Sequence, residues 1–198
     1  MLVLIWYEEI DDMDEGTPDR RIGLVMGIFG GLIGAGAMLA YKRVLLPKLF
    51  PDAPYPASGD DLPPDRAPFG RLYQPGETAY EASGRIAAAL LQPDAAPLPE
   101  DRQRVGDVAH WAIGLLLGVT YGATRTSTLP RDFAGGFFYG IRIWLGDEIF
   151  LPLIGLRASP ARFSRKQHFA LLTTYWVYSF VTANTTRLLY RLFSPEDE

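Results

Sequence analysis

The chain has 198 residues, a net charge of −4 and no cysteine. The lack of cysteine excludes a disulfide framework, a thiol nucleophile and thiolate metal ligands, and the mild negative charge argues against nucleic-acid binding as the main function. Mean hydropathy is +0.03, which averages long apolar stretches with a polar, proline-rich middle region.

The first predicted elements are an extramembrane segment and an apolar helix. Residues 1–21 begin with seven apolar residues followed by acids, too short an apolar run to cross a bilayer. Residues 22–41 carry no charge and contain six glycines. Twenty residues rising about 1.5 Å each match a hydrocarbon core about 30 Å thick. We therefore expect a first transmembrane helix surrounded by a lipid bilayer.

Residues 42–104 form a polar connector that holds 11 of the 16 prolines. Proline fixes φ and lacks a backbone donor, so most of this region is predicted to be an extended surface segment. Within it, Glu77, Glu81 and Arg85 recur every four residues on one face, with a row of apolar side chains on another. This spacing predicts an amphipathic helix over about 77–92, either on the membrane surface or capping the bundle.

Three more apolar stretches follow the connector, and a short tail ends the chain. They cover residues 105–124, 133–156 and 167–190, with residues 191–198 as the tail. Their lengths suit transmembrane helices, and the short loops between them predict antiparallel neighbours. The predicted fold class is an all-α, polytopic membrane protein with four transmembrane helices and one amphipathic helix.

Small residues recur every four positions in three of these stretches, which is typical of closely packed helices in lipid. The predicted helix-packing residues are Gly23, Gly27, Gly31, Gly114, Gly118, Gly122, Gly136 and Gly140. The pattern leaves open whether each stripe packs within the chain, against a second copy or against another membrane subunit.

The stretch 133–156, the third of the four predicted transmembrane helices, places Arg142, Asp147 and Glu148 near its centre. A charge at the bilayer centre costs on the order of 3 kcal/mol, so these groups need partners. The predicted polar cluster comprises His110, Arg142, Asp147, Glu148, Pro152, His168 and Asn184. Such a cluster suits a structural hydrogen-bonded network, an ion or proton site, or an enzymatic centre.

Histidine and carboxylate side chains could together bind a divalent metal. Their spacing, however, matches no metalloenzyme motif such as His-Glu-x-x-His. No nucleotide-binding loop or nucleophile elbow is present either. We therefore predict no metal site, no cofactor and no catalytic residue, and we expect the protein not to be an enzyme.

Three motifs resemble the YagU-like family of small bacterial inner-membrane proteins, a domain of unknown function. They fit the residues His110, Gly114, Gly118, Tyr121 and Gly122; then Trp144, Asp147, Glu148, Pro152, Gly155 and Leu156; and finally His168. The resemblance runs from about Tyr80 to Arg191, and the chain departs from it at Tyr175 and Ala183, where the family carries a histidine and an acid.

The resemblance implies a multi-pass protein of the bacterial inner membrane, but it implies no reaction. From the residues and the resemblance together we expect a structural or accessory role, with the chain packing through its glycine faces into an oligomer or a larger membrane complex. One alternative is a small proton or cation transporter component that uses Asp147 and Glu148. A weaker alternative is an intramembrane enzyme.

Overall fold

The computed structural model describes residues 20–53, 68–69, 72, 74, 77–91, 101–124 and 135–193. All of its regular elements are helical. The helices are α1 (Arg20–Ala40), α2 (Leu46–Leu49), α3 (Ala79–Leu91), α4 (Arg102–Thr124), α5 (Phe137–Ile154) and α6 (Arg165–Phe193). A π-helical segment, Tyr41–Leu45, joins α1 to α2, and a 3₁₀ turn, Pro160–Arg162, precedes α6.

Helix α1 packs against α4 on one face and against α6 on another. The α4 face is a glycine seam in which the two backbones touch. A Cβ added to Gly31 would lie 2.8 Å from the Cα of Gly118, and one added to Gly27 would lie 3.0 Å from the Cα of Gly122. Real Cβ atoms do not approach backbone this closely, so only glycine permits this contact.

The α6 face of α1 meets a polar row on α6. A Cβ added to Gly30 would lie 2.9 Å from the carbonyl oxygen of Thr182, and one added to Gly34 would lie 3.0 Å from that of Tyr178. The hydroxyl of Tyr178 also donates to the carbonyl oxygen of Gly114 on α4, at 2.6 Å. Tyr178 thereby connects α6 to α4 next to α1, which packs against both of these helices.

Helix α3 lies against α4 and begins with a capping box. The backbone N–H of Thr78 donates to Glu81 Oε2 at 2.7 Å, and the N–H of Glu81 donates to Thr78 Oγ1 at 3.3 Å. These reciprocal bonds satisfy donors that have no partner within the helix. Gly106 permits the close contact, since a Cβ there would lie 2.7 Å from Cγ of Glu81. The helix forms part of the bundle wall, where its residues Ala82 and Ile86 are buried.

The structure is all-helical, but the prediction of four membrane-spanning helices is wrong. Within the described residues, only the helix Arg21–Leu49, with 29 residues and a mean hydropathy of 2.0 over its most apolar 18-residue window, is long and apolar enough to cross a membrane. The three later predictions fail on composition. Arginines and an acid occupy the first turns of α4, three charges lie within α5, and α6 carries threonine, serine and asparagine along its length.

Several predicted regions lie partly or wholly outside the described residues. They are most of the N-terminal segment 1–21, much of the connector 42–104, the first two positions of 133–156 and the end of the tail 191–198. Within the connector, the described helix Ala79–Leu91 lies where the amphipathic spacing placed one.

Candidate functional site: a buried ion-pair cluster between two cavities

The site begins where helix α5 ends. Gly155 adopts φ +86°, and its N–H donates to the carbonyl oxygen of Pro152 at 3.2 Å, while the N–H of Leu156 donates to that of Leu151 at 2.9 Å. This pair of bonds is the glycine-terminated helix end known as the Schellman motif. Because the chain reverses there, the next residue, Arg157, folds back alongside the last turns of α5.

Arg157 binds both neighbouring acids of α5. Its Nη1 lies 2.5 Å from Oδ2 of Asp147, and its Nη2 lies 3.1 Å from Oε1 of Glu148. All three side chains are at most about 10 % exposed. The guanidinium also lies over the ring of Phe163, 4.7 Å from its centroid. One planar cation therefore compensates two buried carboxylates and stacks on an aromatic face, a use to which arginine is better suited than lysine.

His168, on the first turn of α6, completes the cluster. Its Nδ1 lies 3.1 Å from Oε2 of Glu148, and its Nε2 lies 3.1 Å from the carbonyl oxygen of Pro160. A carbonyl oxygen only accepts, so Nε2 must carry a proton. A bond between Nδ1 and the carboxyl then needs a second proton, on the imidazole or on Glu148. The contact between His168 and Glu148 therefore joins the first turn of α6 to α5.

Asp147 experiences two opposing influences. Burial raises the pKa of its carboxyl above the usual value, while the charge of Arg157 and a hydrogen bond from Tyr175 act in the other direction. The guanidinium of Arg157 faces both carboxylates, and the imidazole of His168 contacts the carboxylate of Glu148. The pairing is what makes two adjacent buried acids tolerable.

The remaining predicted cluster residues lie elsewhere. Arg142 is exposed and lies at a cavity wall, Pro152 lies inside the last turn of α5, and Asn184 is exposed, donating to the carbonyl oxygen of Phe180 at 2.7 Å. Only Asp147, Glu148 and His168 of the predicted seven meet in one place.

His110, on α4, lies apart from this cluster. It is buried, its Nε2 lies 3.1 Å from the carbonyl oxygen of Ala35, and its ring meets that of Tyr80 edge-on at 5.2 Å. Burial lowers its pKa below the usual histidine value. This histidine joins α4 to α1 through one backbone acceptor and does not contact the acids.

Among the glycines predicted to pack helices, those of α1 face those of α4. The remaining two pack against α6: a Cβ on Gly136 would lie 2.6 Å from the carbonyl oxygen of Ser179, and one on Gly140 would lie 2.6 Å from its hydroxyl. The glycine faces are therefore covered within the chain.

Sequence reasoning missed the pairing of Arg157 and the burial of a third acid, Glu77. A glycine just before Arg157 and two uncompensated acids on the preceding helix could have indicated the pairing. Glu77 is fully buried, and its carboxylate accepts from Arg85 Nε at 2.6 Å and from Nη2 at 2.9 Å. The spacing of these two residues was visible, but the burial of the acid was not.

Two cavities flank the cluster. The first, of about 450 Å³, is lined by α3, α4, α5 and α6 and includes Asp147. The second, of about 530 Å³, includes Glu148 and His168 on the other side. The chain of contacts from Asp147 through Arg157 to Glu148 and His168 thus connects the walls of two spaces.

Within the described residues, no group of three or more histidine, aspartate or glutamate side chains is placed to hold a metal ion. The chain matches no protein-family model, no curated protein and no solved structure. The resemblance to the YagU-like family therefore stays a prediction, and the site has to be interpreted from its own geometry.

Proposed function

We propose that the protein is a membrane-anchored helical bundle with a structural or accessory role, and that the helix Arg21–Leu49 is its anchor. One observation carries this proposal: residues 22–41 of that helix carry no charge, and one face of this stretch stays open beside the helices packed against it. Two faces are covered, the glycine seam by α4 and a second face by α6. The open face carries Val25, Phe29 and Ile33, which recur every four residues and are 43–52 % exposed.

The buried charges support a structural use of the cluster. Asp147 and Glu148 are both held by Arg157, and Glu77 is held by Arg85. The ion pairs of Arg157 hold the turn after α5 against that helix, and the ion pair between Glu77 and Arg85 holds the segment before α3. The bacterial inner membrane as the location rests on the family resemblance and belongs to the same proposal.

Because the glycine faces are covered within the chain, an accessory role would use the open apolar faces to contact a membrane subunit or a second copy. The test is mild detergent extraction of the tagged full-length protein, followed by native mass spectrometry. We expect a defined assembly larger than one chain. Isolation only as a single chain, after cross-linking in membranes as well, would contradict the accessory role.

A proton-handling site at the same cluster is the second candidate, favoured by the two flanking cavities. Against a continuous relay, the arginine between the acids keeps its proton, so it interrupts hopping from one carboxylate to the other. Reconstitution in liposomes with an internal pH dye separates the two functions. Proton flux that is abolished in the Asp147→Asn, Glu148→Gln double variant favours transport, whereas equal flux in both proteins removes it.

A further inference from the structure

The first cavity has the size and wall chemistry of a small-molecule site. At about 450 Å³, it falls within the range of about 300–1,000 Å³ typical of ligand pockets. Four helices line it, with Ile143, Phe150 and Leu151 supplying apolar surface from α5. A space of this kind excludes water from an apolar ligand over most of the ligand's length.

Most polar groups at its wall are already engaged. Tyr139 donates its hydroxyl to the carbonyl oxygen of Leu117 at 2.5 Å, and the carboxylate of Asp147 is held by Arg157. These side chains therefore offer mainly ring and carbon surface to the space.

Arg142 is different. It is exposed, it lines the cavity, and within the described part of the chain it makes no hydrogen bond or ion pair. The charge available at this wall is therefore positive.

We propose that this cavity binds an amphiphile with one acyl chain and an anionic head group, a carboxylate or a phosphate, whose charge pairs with Arg142. The chain lies along the apolar wall past Gly146, where an added Cβ would meet nothing within 4 Å. This site goes beyond the proposed accessory role and does not depend on it.

The test is photolabelling of the full-length protein in phosphatidylcholine nanodiscs. The probe is a dodecanoate that carries a diazirine, and labelled peptides are identified by mass spectrometry. Dodecanoate, dodecyl phosphate and dodecanol compete with it at equal chain length. We expect labelling on α4 and α5, and competition by at least one anion about fivefold stronger than by dodecanol, as one partly exposed ion pair provides.

Substitutions at two positions, Arg142 and Gly146, locate the site, each with a control at another position. Arg142→Gln should abolish the preference for an anion over dodecanol, Arg142→Lys should keep it, and the exposed Arg191→Gln should leave it unchanged. Gly146→Phe should reduce labelling at least about fivefold by filling the space, whereas Ala112→Phe, on an exposed face of α4 outside the cavity, should not.

The outcomes are decisive in both directions. Equal competition by dodecanol, or an anion preference that survives in Arg142→Gln, would overturn the assignment of the head group. Labelling confined to helices other than α4 and α5 would overturn the assignment of the acyl chain to this cavity. Unchanged labelling of a Gly146→Phe protein that keeps its helical circular dichroism would overturn it as well. An anion preference lost only in Arg142→Gln supports the proposal, and the stronger competitor then identifies carboxylate or phosphate.

Discussion

Arg157 is the residue on which both buried acids of α5 depend. It lies outside the helix, and only the left-handed conformation of Gly155 turns it back toward Asp147 and Glu148. One guanidinium with five donors can serve two carboxylates at once. A shorter or uncharged side chain at this position would leave two acids inside the protein without a cation between them.

We expect Arg157→Leu to lower the free energy of unfolding by about 3–5 kcal/mol at neutral pH, because removing one partner leaves buried charge uncompensated. Unfolding by sodium dodecyl sulfate in mixed micelles measures this loss. Arg165→Gln, at an exposed position on α6, is the matched control and should change the free energy by less than about 0.5 kcal/mol. Equal losses in the two variants would contradict a stabilising role for the cluster.

The loss of stability in Arg157→Leu should also depend on pH. Burial raises the pKa of Asp147, and removing Arg157 takes away the main influence that opposes this rise. A carboxyl with a raised pKa in the folded state contributes stability below its unfolded pKa of about 3.9, and that contribution is lost as pH rises through the folded value. The stability deficit of Arg157→Leu relative to the wild type should therefore be smaller near about pH 4 than near about pH 7. A deficit independent of pH would contradict this account.

At the scale of the elements, the contact between α1 and α4 is made by backbone. Gly118 lies at its centre, where an added Cβ would lie 2.6 Å from the backbone nitrogen of Gly31. Backbone cannot move aside as a flexible side chain can. The two helices would have to separate, and α6, which packs on the other face of α1, would lose contact with it.

We expect Gly118→Ala to destabilise the bundle by about 1–3 kcal/mol through overpacking. Gly146→Ala is the matched control, since the same methyl group on α5 meets nothing within 4 Å. That change should be neutral or stabilise by up to about 1 kcal/mol, because alanine favours the helix interior over glycine. Thermal unfolding of both variants in one detergent measures the difference, and equal midpoints would contradict the tight seam.

At the scale of the whole molecule, large apolar side chains remain exposed on α1, α4, α5 and α6. A patch that stays open on a folded protein marks a contact with lipid or with another protein. The open face of α1 is the part of this surface that lies on the helix long and apolar enough to cross a membrane.

Anchoring by α1 predicts that its open face decides membrane retention. Changing Phe29 and Ile33 together to lysine should release most of the protein from membranes on alkaline carbonate washing, because each central charge costs about 2.5–3.5 kcal/mol in the bilayer. The double change of Leu192 and Phe193 to lysine, exposed at the end of α6, is the control and should leave the protein in the membrane pellet. Full retention of the α1 variant would contradict anchoring by this helix.

The sequence by itself determined the helical character, the apolar length of α1, the amphipathic helix after the prolines and the four-residue glycine spacing, because each depends on residues within a few turns of one another. It overestimated the number of membrane-spanning helices, since the polar residues of α4, α5 and α6 were expected to be paired inside a membrane bundle, whereas they make these helices too polar to cross a membrane. Only the tertiary structure decided that Arg157 binds Asp147 and Glu148, that His110 and Arg142 lie apart from them, and that the glycine faces are covered within the chain. These facts depend on how turns place distant segments, and local periodicity contains no information about that placement.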